Sequence, residues 1–163
     1  MPVRRRQGGT IKGRGQRPRA TRSDAVLAVA ALLAVLAAPA AAASLSVEVD
    51  GVEPGAGRVF VALCTGSLAE ESCRIGQSGP AVAQSLRFGF SDVPPGTYAV
   101  AAFQDLDGDG RLGRTGLGLP TEPYGFSNGA GRRGRPDFSA AAFRLAEPGT
   151  ALRVRLTRAL PAR

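Results

Sequence analysis

The residues able to do chemistry in this chain are mainly carboxylates. Asp105, Asp107 and Asp109 stand on alternate residues of DLDGDG, with Gly110 closing the turn. Alternate acids in a tight turn aim several hard oxygens at one centre, as calcium requires. In the register of a twelve-residue calcium loop the aspartates hold positions one, three and five. Arg111 would offer its backbone carbonyl at seven. Position twelve is Gly116, not a bidentate glutamate, and Glu122 is the nearest acid that could complete the set. The other reading of the same residues is a polar Asp-Gly turn with solvated carboxylates. Asp92, the three aspartates, Glu122 and Asp137 are also the pool for a carboxylate pair of the glycosidase kind. Gly125-Phe126-Ser127-Asn128-Gly129 has the G-x-S-x-G spacing of a hydrolase elbow, which needs a histidine partner.

The composition closes most other routes. The chain has no histidine in 163 residues, so no Ser-His-Asp triad, Cys-His pair or imidazole metal site is open to it. Two cysteines without histidine cannot complete a tetrahedral zinc site. Lys12 is the sole lysine. There is no tryptophan to stack on sugar.

The first 43 residues read as a secretory signal peptide. A basic stretch (Arg4, Arg5, Arg6, Lys12, Arg14, Arg17, Arg19, Arg22) precedes the apolar run 25–38, and then PAAAAS supplies the small residues Ala41 and Ala43. Fourteen helical residues span about 21 Å, short of the roughly 30 Å hydrocarbon core, so cleavage after Ala43 is expected rather than a retained anchor. The leader takes eight of the 21 basic residues and one of the 13 acidic ones, leaving 13 against 12. The formal charge of +8 therefore belongs mostly to the leader, and a nucleic-acid partner is not expected. Export makes Cys64 and Cys73 an expected disulfide, closing a ten-residue loop.

Residues 44–163 are expected to form one domain. Leu45, Val47 and Val49 alternate with polar residues; so do Leu86, Phe88 and Phe90, and Leu152, Val154 and Leu156. Arg58–Leu63 is a short apolar run, and Thr97–Phe103 is a continuous one, predicting a central strand covered on both faces. Cys64–Pro80 reads as a polar loop carrying both cysteines, and Ala140–Leu145 as a further strand. With Gly and Pro at 22 and 12 residues, and no sustained helical period, the prediction is an all-β, antiparallel sandwich of six to seven strands. The long loop 104–136 reads as functional.

GRVFVAL (57–63), FSDVPPGTYAVAAFQDLDGDGRLG (90–113), LGLPTEPYGFSN (117–128) and GRPDFSAAAF (134–143) resemble the exported bacterial family catalogued as domain of unknown function 2141 (DUF2141). The P-P-G-T-Y strand start is more remotely similar to transthyretin-like and carboxypeptidase-regulatory-like sandwich modules. The resemblance covers roughly residues 45–157 and implies an exported β-sandwich without an assigned activity. The chain departs from the family tendency in two places. Gly113 stands where an acidic residue usually follows the aspartate turn, and Arg132, Arg133 and Arg135 are unusually basic.

The function expected is therefore a periplasmic or secreted, non-enzymatic binding or structural module, with calcium as its only cofactor. The alternative is a carboxylate-based envelope enzyme acting on carbohydrate. The surface expected to matter is Pro120, Glu122, Tyr124, Gly125, Phe126 and Ser127, anchored by Leu117 and Leu119. An envelope polymer or a protein is the expected partner. Arg132, Arg133 and Arg135 are either a site for anionic polymer or lipid headgroups, or a solvated loop.

Overall fold

A computed structural model describes residues 42–132 and 134–160. The leader expected over residues 1–43 lies outside them except for Ala42 and Ala43. Among the described residues no helix is long and apolar enough to cross a membrane. Eight strands follow in order: β1 Ala43–Asp50, β2 Arg58–Cys64, β3 Cys73–Pro80, β4 Ser85–Val93, β5 Gly96–Asp105, β6 Tyr124–Phe126, β7 Phe143–Leu145 and β8 Gly149–Arg155. The all-β class is as expected.

The strands form two sheets. The smaller has the order β4-β1-β8; the larger has the order β3-β2-β5-β6, with β7 also on β5. β6 and β7 share one edge of β5 end to end, at Ala101–Phe103 and Gly96–Tyr98. All pairs are antiparallel except β1–β8, which is parallel.

Period-2 alternation explains the core. Leu45, Val47 and Val49 of β1, Phe88 and Phe90 of β4 and Val154 of β8 are buried from one sheet. Val59, Val61 and Leu63 of β2 and Tyr98, Val100 and Ala102 of β5 are buried from the other. Tyr98 also ties its hydroxyl to the carbonyl of Pro94, 2.9 Å away, which fixes the turn before β5. Such a tyrosine bonded back to the backbone just upstream is a recurrent corner device of β-sandwiches. At the other end of β5, buried Gln104 accepts from the Glu53 amide and donates to the carbonyls of Glu53 and Ala56, holding the β1–β2 turn.

Four expectations need correction. The described residues hold eight strands rather than six to seven, because the expected loop 104–136 is broken by β6, three residues paired with β5. The segment 64–80 is not wholly loop: Cys73–Pro80 is an edge strand paired with β2. It escaped the alternation test because its side chains are mostly exposed and it carries Gly76, Gly79 and Pro80. Ala140 and Ala141 belong to a one-turn helix, Phe138–Ala141, because the Asp137 side chain caps it by accepting from the Ala140 amide; the strand begins only at Phe143. The outer face of β5 is covered unevenly. Ala99 is buried, while Ala101 and Phe103 are only half-buried.

Candidate functional site

The outer face of the larger sheet carries the long connection from β5 to β6. Register places Phe60, Phe103 and Tyr124 in one row across β2, β5 and β6. Phe60 and Phe103 stack with ring centroids 5.1 Å apart, and Tyr124 meets Phe126 edge-on at 6.0 Å. Beside this row, Cys64, Ala99 and Ala141 form a second small core, packed by Leu68, Phe126, Ala130 and Phe138. The Cys64–Cys73 disulfide forms as expected, belongs to this core and ties the end of β2 to the start of β3.

The aspartate turn leaves the sheet at the end of β5. Carboxylate oxygens of Asp105, Asp107 and Asp109 lie within 4.8 Å of one another. Asp105 is buried, at 2% exposure, and the other two are exposed. Backbone amides already meet all three. Asp105 accepts from Gly108 at 2.7 Å and from Gly110 at 3.0 Å. Asp107 accepts from Asp109 at 3.2 Å, and Asp109 accepts from Arg111 at 2.7 Å. Arg111 thus enters through its amide. A carboxylate oxygen that accepts one bond keeps further acceptor capacity, so the trio is chemically able to receive a hard cation.

Glu122 is not brought into that trio. It is 5% exposed, and its two oxygens accept from the amides of Leu106, at 2.7 Å, and Gly113, at 2.9 Å. It clasps the two ends of the aspartate loop. Gly113 itself has a local reason: a Cβ there would come within 2.6 Å of the Thr121 hydroxyl. The hairpin beyond is held by Thr121 to Gly113 and Thr115 to Leu119 backbone bonds.

Ser127 is fully buried and committed. Its hydroxyl accepts from the Val100 amide at 2.9 Å and donates to the Ala141 carbonyl at 2.6 Å. The G-x-S-x-G spacing therefore marks a structural serine. Gly125 has to be glycine because a side chain there would strike the Arg155 carbonyl of β8. Asp137 is held below the ordinary aspartate range by the Ser139 hydroxyl first and the Ala140 amide second.

Between these loops lies an open cleft of about 970 Å³. One wall is the segment 66–69, a second is 112–120 and a third is 134–138, with Tyr124 and Phe126 as the floor. Leu68, Leu112, Leu117, Leu119, Pro120, Pro136 and Phe138 supply the apolar part of the lining, and Ser67, Arg114, Arg135 and Asp137 contribute to a substantial polar part. Of the expected surface residues, Pro120, Tyr124 and Phe126 line the cleft; Glu122, Gly125 and Ser127 hold its walls in place. The arginine cluster divides. Arg135 lines the cleft, Arg132 lies against Gly129, and Arg133 is outside the described residues. Leu68 and Arg114 were not expected in the site.

Fold and cleft together define a small disulfide-bonded β-sandwich whose loops build a surface site on one sheet. Residues 47–153 match the family described as "Uncharacterized protein conserved in bacteria (DUF2141)", and the chain belongs to that family. No curated protein and no solved structure matches it.

Proposed function

We propose that the chain is an exported, non-catalytic β-sandwich module that takes a ligand into the cleft between residues 66–69, 112–120 and 134–138. The cleft itself carries this reading: an open site of about 970 Å³, lined by a leucine-rich apolar part and a polar part that includes two arginines, lies within the size range of small-molecule sites. A carboxylate enzyme would need two acids converging on such a space. Asp137 is the acid on the lining, and it is engaged as a helix cap. Asp105 and Glu122 spend their oxygens on backbone amides. The leader pattern and the disulfide support export.

The test is a titration of ¹⁵N-labelled protein with alkyl acids, alcohols, short oligosaccharides and apolar peptides. Amide shifts confined to the three cleft walls are expected from at least one class. Shifts mapping only to the opposite sheet would refute the reading.

Calcium belongs to this proposal as an accessory of stability. At ten times its Kd it should stabilise the fold by about 1.4 kcal/mol. Melting with millimolar calcium and with chelator decides this. Asp107→Asn, at an exposed ligand position, should remove the difference. An unchanged melting temperature would leave the amides as the sole counterparts of the aspartates.

A further inference from the structure

We propose that the ligand of the cleft is a long-chain alkyl carboxylate: an apolar chain along the leucine wall and one anionic head at the arginines. This rests on the cleft reading above and names its ligand class. Leu117 is 89% exposed and Leu119 45%, beside a floor of Tyr124 and Phe126. Two large aliphatic side chains standing in solvent at the mouth of the cleft are a surface that a hydrocarbon chain would cover. Arg114 and Arg135 also line the cleft, and among the described residues neither takes part in an ion pair. One nitrogen of Arg114 donates to the Gly118 carbonyl, which orients the guanidinium and leaves its other donors free. Asp137, the acid of the lining, is occupied by Ser139 and Ala140. Its charge remains, and two arginines against one carboxylate leave the lining with a net charge of about +1.

The backbone argues against an extended peptide in the same place. A peptide needs unpaired amides and carbonyls along its path. Here Thr115 pairs with Leu119, Thr121 pairs with Gly113, and the outer edge of β6 is closed by reciprocal bonds between Tyr124 and Thr157. An alkyl chain makes no such demand, and a carboxylate head matches the planar fork of arginine.

The chain has no tryptophan, so a fluorescent C18 polyene carboxylate can be followed without protein background. We expect saturable binding of this probe by the purified protein, and its displacement by hexadecanoate. Hexadecanol should compete about tenfold less well, the equivalent of one charged pair at roughly 1.4 kcal/mol. Arg114→Gln with Arg135→Gln should bring the two competitors level. Leu117→Asp should abolish binding of both. All three residues are exposed, and an unchanged melting temperature checks the fold of each variant. Equal competition by alcohol and acid in the wild type would overturn the anionic head while leaving the cleft reading intact, provided the amide shifts still fall on the cleft walls. No saturable binding of the probe would overturn the inference, and the oligosaccharide and peptide arms would then decide the cleft reading separately. Co-sedimentation with anionic phospholipid vesicles without displacement of the probe would also overturn it, in favour of a membrane surface.

Discussion

Glu122→Gln is the sharpest perturbation of the loop architecture. It changes one oxygen to an amino group with little change of shape. In the native protein both oxygens are acceptors, one for Leu106 and one for Gly113, at 2.7 and 2.9 Å. The amide side chain keeps one acceptor and turns a donor toward the other N–H. One charge-assisted bond is lost, worth about 1.5–3 kcal/mol, and a half-buried N–H is left facing another donor. The expected loss is about 2–3 kcal/mol. For a domain of this size that is a fall of roughly 8–12 °C in Tm. Urea unfolding with an unchanged slope measures the energy. Hydrogen exchange locates it: the Leu106 and Gly113 amides should lose more protection than those of Val59 and Val61, which fall only by the global loss. Exposed Asp107→Asn, in chelator, is the control and should stay within about 0.5 kcal/mol. A Glu122→Gln protein within that same margin of the wild type would refute the clasp.

Other outcomes follow from the same reasoning. Ser127→Ala should cost about 2–4 kcal/mol in urea unfolding, because it orphans the Val100 amide and the Ala141 carbonyl in a fully buried place; a neutral variant would mean water enters there. Reduction of Cys64–Cys73 should lower stability by about 2.7 kcal/mol from the ten-residue loop it releases, and non-reduced protein should be two hydrogens lighter by mass spectrometry; alkylation of both thiols without reductant would contradict the bridge. Glu53 is held below the ordinary glutamate range by its bonds to Arg158 at 2.7 Å. Its folded value is thus depressed, so its contribution is present at neutral pH and lost as pH falls below about 4. The pair is half-exposed, so Glu53→Gln should flatten the acid limb of stability by less than about 1 kcal/mol.

What was legible in the sequence was what alternation and short apolar runs report. β1, β4 and β8 show as alternating Val, Leu or Phe, and β2 and β5 as apolar runs. β3 buries almost nothing, so its pairing is carried by backbone bonds that no residue pattern announces. β6 is three residues long, with a glycine at its centre required by the Arg155 carbonyl. The aspartate trio was legible because its spacing is local. The role of Glu122 was not, since an acid pinned by two distant amides has the same letter as an acid ligating an ion. Gln104 and Ser127 were hidden for the same reason: buried polar side chains that hold loops look, in sequence, like surface residues. The cleft was half visible. Leu117, Leu119 and Phe126 were expected to anchor the loop, but two of them stand in solvent.

The parallel ladder of β1 with β8 sets the order of synthesis against the order of assembly. Residues 44–50 pair with 149–155, across about a hundred residues. Closing a loop of that length costs on the order of 4 kcal/mol in chain entropy before any contact is made. β1 is the central strand of its sheet, yet β4 is made some forty residues later and β8 last of all. A chain delivered N-terminus first therefore presents Leu45, Val47 and Val49 long before their partners exist. The early-forming structure has to be the β2–β3 hairpin, joined by β5, with the first strand captured late. High contact order of this kind slows folding and prolongs exposure of an apolar strand. A product terminated before residue 149 would keep one edge of the central strand of that sheet open, and is expected to aggregate rather than fold.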